Sequence, residues 1–271
     1  LTLEPLASSE AVLTKEEKEA GVAIVDIGGG TTDIAIFKDN IIRHTCVIPY
    51  GGGIITDDIK EGCSIIEKHA EQLKVKFGSA VPELEKDSTF VTIPGLHGRP
   101  DKEISLKTLA QVVNARVEEI LEMVNTELKA YGAFEQKKKL IAGIVLTGGG
   151  SNLRHLRQLA NYTTGFDSRI GFANEYIAND KNQQLKGPEY ATSIGLLMES
   201  LKIRDKKNGL EQPEEVVEKQ EIIDTPKVIV ETPEFRTEEI AVPETANRRK
   251  DKPTIGQKIM ESVKKFFEEV E

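Results

Sequence analysis

"VAIVDIGGGTTDIAIF" (Val22–Phe37) sets two apolar, β-branched runs around the loop Asp26-Ile27-Gly28-Gly29-Gly30-Thr31-Thr32-Asp33. Such runs read as strands, and a plain hairpin between them needs only one or two glycines. Three glycines, two threonines and two acids exceed what a turn requires. Closely spaced amides without shielding side chains form an anion-binding concavity, and glycine permits the positive φ it uses. The Thr31 and Thr32 hydroxyls add donors. Asp26 ends its strand where a carboxylate can hold the waters around a Mg²⁺.

A second loop follows the strand-like run Ile141–Leu146. Thr147-Gly148-Gly149-Gly150-Ser151 lies between that run and a helix expected over Asn152–Ala160. There the chain can approach a flat ligand closely and aim helix-terminal N–H groups at an anion. Neither loop fits the common nucleotide patterns. No Gly-x-x-x-x-Gly-Lys-[Ser/Thr] occurs, and the sixth-position glycine of a dinucleotide fingerprint counted from Gly148 falls on Leu153. Either loop alone can be a strained strand connection; two of them, each at a strand end, point to a shared ligand.

The surrounding pattern is mixed α/β. Residues 1–20 are polar with no clear periodicity. Val22–Ile27, Asp33–Phe37 and Ile41–Ile48 read as three strands, broken by Pro49-Tyr50-Gly51-Gly52-Gly53. One helix is expected from about Ile54, carrying Ile55, Ile59, Ile65, Ile66, Ala70 and Leu73. A short strand is expected around Phe90–Ile93. A second helix, Leu106–Tyr131, carries the stripe Leu106, Leu109, Val113, Val117, Ile120, Val124 and Leu128. A last one is expected at about Tyr190–Leu201. From Ile203 to Lys252 the chain is rich in Glu, Lys and Pro, with Phe235 its only aromatic residue. Such a stretch cannot offset an ordering entropy of roughly 1–2 kcal/mol per residue, so a disordered linker is expected.

Composition narrows the function. The 271 residues are 38% hydrophobic, enough for one or two domains with a packed core. A formal charge of −9, few aromatics and no Trp argue against general nucleic-acid binding. Cys46 and Cys63 make no disulfide framework and suit a reducing compartment. The Asn161-Tyr162-Thr163 sequon is then incidental. The chain starts at Leu1 rather than Met and is expected to be a piece of a longer protein.

Periodicity returns at Thr254-Ile255-Gly256-Gln257, which has capping-box form. Ile255, Ile259, Met260, Val263, Phe266, Phe267 and Val270 fall within an arc of roughly 140° on a helix. At about 16 residues and half polar, it is too short for a bilayer span but can lie in the interface. Half-burying six large apolar side chains contributes on the order of 5–8 kcal/mol before ordering costs. Arg248, Arg249, Lys250 and Lys252, just upstream, each add ~1 kcal/mol near an anionic surface. Docking on its own domain or on a partner helix is the alternative.

The two loops together resemble those of the actin/Hsp70/sugar-kinase ATPase superfamily. "DIGGGTTD" is similar to its second phosphate hairpin and "IVLTGGGS" to its adenosine loop. "PYGGGIITDDI" (Pro49–Ile59), "AEQLKVKFGSA" (Ala70–Ala80), "AGIVLTGGGSNL" (Ala142–Leu153) and "PEYATSIGLL" (Pro188–Leu197) narrow the resemblance to the FtsA family of bacterial cell division, over about residues 20–202. The resemblance implies an α/β, actin-like (ribonuclease H-like) ATPase domain with an inserted α+β subdomain. The nucleotide-binding part would be 21–53 with 141–202, and the insertion 54–140. A 203–252 linker and a 253–271 amphipathic, membrane-targeting helix would follow.

It further implies ATP and Mg²⁺ as ligands. The phosphates would lie at Gly28, Gly29, Gly30, Thr31 and Thr32, with Asp26 on the metal through water. The adenosine would lie at Gly148, Gly149, Gly150 and Ser151, with Glu71 on ribose or adenine edges and Lys74 beside the ring. Glu71 and Lys74 at i, i+3 can equally be a solvated helical face. The superfamily's first phosphate loop and the segment that orients the attacking water have no match, so a weak ATPase at most is expected, with no catalytic residue assigned. The implied role is an adaptor at the cytoplasmic face of the plasma membrane at the division site. It would form actin-like filaments with copies of itself, bind the FtsZ C-terminal peptide and other division proteins, and lie on the lipid surface. Arg116 and Glu119, pointing away from the Leu106–Tyr131 stripe, would grip the peptide, unless they are a solvated face. The competing functions are an ATP-hydrolysing enzyme or chaperone of the same superfamily, and a pilus-assembly adaptor of the same fold.

Overall fold

The structure is a computed structural model that describes residues 2–95, 98, 100–173, 185 and 187–207. The expected 253–271 helix, and the linker past Lys207, lie outside the described residues.

Two helices precede the first strand, α1 (Glu4–Val12) and α2 (Lys15–Ala20). Residues 1–20, read as a polar entry without clear periodicity, thus hold two helices that no apolar pattern announced. The helix α1 buries small residues, Ala7, Ser8, Ser9 and Ala11, and so shows no large-apolar stripe. Thr14 starts α2 with a capping box: its side chain accepts from the Glu17 amide, and Glu17 accepts from the Thr14 amide at 2.9 Å.

The three expected strands form as β1 (Val22–Ile27), β2 (Thr32–Lys38) and β3 (Ile41–Ile48). The helix expected from Ile54 is two helices, α3 (Gly52–Gly62) and α4 (Glu67–Phe77). Gly62 weakens the first helix at its end, and Ser64 turns the chain at φ +47°. The short strands β4 (Phe90–Ile93) and β5 (Lys102–Ser105) pair antiparallel, and β5 runs into the 26-residue α5 (Leu106–Tyr131), which ends on a left-handed Gly132. The last described elements are β6 (Ile144–Thr147), α6 (Leu156–Thr164), β7 (Ser168–Ile170) and α7 (Ala191–Lys207). The start of the expected linker, Ile203–Lys207, is thus the end of α7.

The main sheet has the order β3-β2-β1-β6-β7. Its β1–β2 and β2–β3 pairs are antiparallel, and β1–β6 and β6–β7 are parallel. Both faces are covered, so β1 reads as a continuous apolar run, not an alternating one. Ala23, Val25 and Ile27, with Ile34, Ile36, Ile144 and Leu146, pack against α3, α4, α5 and α6. The opposite parity, Val22, Ile24, Ala35, Phe37 and Val145, packs against α1 and α7. Burial of each α5 stripe residue is worth about 1.5–3 kcal/mol. Asp26 belongs by parity to the α1–α7 face, which decides its surroundings. Among the described residues no helix is long and apolar enough to cross a membrane.

Candidate functional site

The loop from β1 to β2 is held from behind by the second glycine run, Gly51–Gly53. The Gly52 amide donates to the Gly28 carbonyl at 2.8 Å and the Gly53 amide to Gly29 at 2.7 Å. A Cβ on Gly51 would lie 2.6 Å from the Gly28 oxygen, so only glycine allows this approach. The Thr32 hydroxyl donates to the Tyr50 carbonyl at 2.8 Å and locks the same seam. Within the loop the Gly28 amide donates to the Thr31 carbonyl at 2.9 Å. Among the described residues the amides of Gly29 and Gly30 donate to no acceptor, and a Cβ on either would meet nothing within 4 Å. Two free amides over open space are the donor set of an anion seat.

The second loop lies on the end of β1. Gly148 takes φ +82° and ψ 170°, and a Cβ there would be 2.3 Å from Asp26 Oδ1. One on Gly150 would be 2.4 Å from Ile27 Cγ2. Residues Gly149–Asn152 form a single 3-10 turn, and after a left-handed His155 the helix begins only at Leu156. The expected helix start at Asn152 is corrected: the amides offered here belong to the 3-10 turn. Gly149 and Gly150 open that turn and have no acceptor within it.

Both loops wall one cavity of about 320 Å³, with Gly28 and Gly29 on one side and Gly149 and Gly150 on another. Glu71 and Lys74 of α4 complete the wall, and Ile55, Val75 and Leu153 give it an apolar surface. The volume falls in the usual range for small-molecule sites, roughly 300–1,000 Å³. Lys74 Nζ lies 2.8 Å from Glu71 Oε2 and donates to the Gly52 carbonyl and Thr56 Oγ1, each at 2.7 Å. Thr56 in turn donates to Glu71 at 2.5 Å. Burial pushes the Glu71 carboxyl up, but the hydrogen bonds from Lys74 and Thr56 outweigh it and hold the group below its ordinary value. Glu71 is therefore a fixed anion, able to accept from ligand hydroxyls or amines. Across the cavity Asn152 Nδ2 donates to Glu189 Oε2 at 2.8 Å.

The structure thus brings Gly28, Gly29, Glu71, Lys74, Gly149 and Gly150 together. Gly30, Thr31, Thr32, Gly148 and Ser151 stand off the wall. Thr31 donates to Asp33 at 2.9 Å, and buried Ser151 donates to the Thr147 carbonyl at 2.6 Å. Asp26, expected on the metal side of the phosphates through water, lies at the buried end of β1. It is 4% exposed, and its Oδ2 accepts from Ser8 at 2.5 Å and Thr192 at 3.2 Å while Oδ1 faces Gly148. Through these bonds it ties β1 to α1 and α7. The sequence reading missed Gly51–Gly53, Ile55, Val75, Asn152, Leu153 and Glu189 as parts of the site. The glycine run in "PYGGGII" was the available signal for the first group.

Arg116, expected with Glu119 to grip a partner peptide, is engaged within the fold. It forks onto Asp58 of α3, Nε to Oδ2 at 2.6 Å and Nη2 to Oδ1 at 3.0 Å, and it also bonds Glu119. Its guanidinium lies 5.8 Å from the Tyr50 ring centre, and its side chain is 21% exposed. The pair fastens α5 to α3, so Arg116→Glu would set two carboxylates against each other.

Comparison with known proteins agrees with this architecture. Residues 23–195 match the family Cell division protein FtsA. The cell division protein FtsA of Neisseria meningitidis serogroup B is 38% identical over 214 residues, 79% of this chain and 50% of that protein. FtsA of Escherichia coli K12 is 40% identical over 197 residues, 71% of this chain and 46% of that protein. The chain therefore spans about half the length of the curated relatives it matches. Among solved structures, MreB5 of Spiroplasma citri bound to ADP superposes with a TM-score of 0.62 at 21% identity, covering 76% of this chain and 61% of that one. The fold is actin-like, and the chain belongs to the FtsA family of cell division proteins.

Proposed function

We propose that the chain is the second nucleotide-holding half of an ATP-binding, actin-like adaptor that links the division machinery to the membrane. The observation that carries the nucleotide reading is the cavity between the glycine loops, with Gly29 and the Glu71 carboxylate on its wall and free amides at Gly29 and the adjoining Gly30. Those amides would hold phosphate oxygens. Ile55, Val75 and Leu153 would exclude water along the base, and Glu71 would accept from ribose hydroxyls. MreB5, which shares the fold, was solved with ADP. Nucleotide held in this half would bias closure against a first domain and hence filament contacts, as a population shift.

Gly29→Val tests the site with little cost to the fold, because the added side chain enters open space. An ATP analogue should bind the variant at least about 100-fold more weakly, with the thermal melt unchanged; retained affinity returns the loop to a turn.

The membrane part of the proposal rests on the amphipathic pattern of 254–271 and the basic residues before it. The FtsZ tail peptide would dock on the inserted part, 54–140, which the family resemblance supports. Flotation with anionic vesicles should recover the full chain and lose the chain lacking 254–271. Equal recovery of both would remove the helix as the anchor.

A further inference from the structure

We propose that His44, Cys46 and Glu127 form a binding site for one zinc-class divalent ion where β3 meets α5. His44 and Cys46 stand two residues apart on β3, so the period of the strand puts both on its half-buried face, opposite the exposed Arg43, Thr45 and Val47. Glu127 comes from the last turns of α5, and its Oε2 lies 3.2 Å from His44 Nε2. An imidazole nitrogen, the Cys46 sulfur and a Glu127 oxygen all lie within 4.8 Å of one another. A tetrahedral ion with Zn–S near 2.3 Å and Zn–N or Zn–O near 2.0–2.2 Å sets its ligand atoms about 3.3–3.6 Å apart. Side-chain adjustment of about an ångström closes the set on that geometry.

The donor chemistry is selective. One sulfur, one imidazole and one carboxylate suit Zn²⁺ or Co²⁺, whereas Mg²⁺ and Ca²⁺ take oxygen ligands. All three side chains are part-buried, which leaves the fourth position to water. The Tyr131 ring, 6.2 Å from the imidazole on the same helix as Glu127, limits the swing of His44. None of the three residues lines the nucleotide cavity, so the site is separate from it.

Burial, and then the Glu127 carboxylate, push the Cys46 thiol up to about 12, so without the ion it stays protonated. On binding, the S–H bond breaks, the S–Zn bond forms and the proton leaves to solvent. The ion would then bridge the edge strand of the main sheet to the long helix of the inserted part.

Cobalt titration of the reduced full chain tests the site. One equivalent should give a thiolate-to-cobalt charge-transfer band that Zn²⁺ abolishes. Because the chain has two cysteines, the band should vanish in Cys46→Ser and persist in Cys63→Ser. His44→Ala and Glu127→Gln should each weaken Zn²⁺ binding at least about tenfold, measured against a chromophoric chelator. No band in the native chain, or one that survives Cys46→Ser, overturns the proposal. Should Cys46→Ser fail to fold, equal Zn²⁺ affinity in Glu127→Gln and the native chain overturns it as well.

Discussion

At Gly29 and Gly30 an added Cβ would meet nothing within 4 Å, whereas at Gly148 it would sit 2.3 Å from Asp26 Oδ1 and at Gly150 2.4 Å from Ile27 Cγ2. The two loops look alike as sequence, three glycines after an apolar strand. In the first, the absent side chains leave donors open above a cavity. In the second, they let one loop press against the end of another strand, so the same residue type serves packing. The support differs too. The first loop is held by backbone bonds from Gly52 and Gly53, and the second by the Thr147 and Ser151 hydroxyls and the Pro188 carbonyl.

Substitution should separate the two roles. The largest effect is expected at Gly148→Ala, which combines a φ of +82° with contacts under 3 Å to Asp26 and to the Ile27 backbone. It should cost on the order of 3–5 kcal/mol in urea denaturation. A loss under about 1 kcal/mol would mean that the second loop is as loosely seated as the first. In Gly29→Val the stability change should stay within about 0.5 kcal/mol, so nucleotide binding alone reports on the first loop.

The smallest effect concerns the contact between the second loop and Asp26. Burial, opposed by Ser8 and Thr192 and reinforced by Asp33, raises the Asp26 carboxyl above its unfolded value. Its contribution to stability is therefore fully present below the unfolded value and is lost as pH rises through the folded one. Stability measured at stepped pH should show this fall, and Asp26→Asn should remove it while keeping an acceptor for both hydroxyls. An identical pH profile in the variant would show that the carboxyl titrates as if exposed.

Much of the fold was legible along the chain. The α5 boundaries, Leu106–Tyr131, follow from one long stripe closed by Gly132, because a helix repeats its buried face at a fixed interval. The strands β1 and β3 were readable from β-branched runs. The helix α1 was not, because its buried face is mostly Ala and Ser, and the Ser8 hydroxyl finds its Asp26 partner only in the folded chain. The break at Ser64 was hidden because Ile65 and Ile66 continue an apolar count across a turn. Within the site, the glycine loops and the Glu71–Lys74 pair were visible, while the clamp by Gly51–Gly53 and the apolar wall at Val75 and Leu153 were not.

The sequence by itself determined the element types, the two glycine loops and the family, since periodicity, turn chemistry and motif spacing are local properties. Only the tertiary structure decided what faces what. Strand parity and the approach of α1 and α7 turned Asp26 inward to Ser8 and Thr192. The crossing of α5 over α3 committed Arg116 to Asp58. The register of β3 against α5 set His44 and Cys46 beside Glu127, a residue more than eighty positions away. A side chain's partner depends on distances between elements, and those distances are settled by packing rather than by order along the chain.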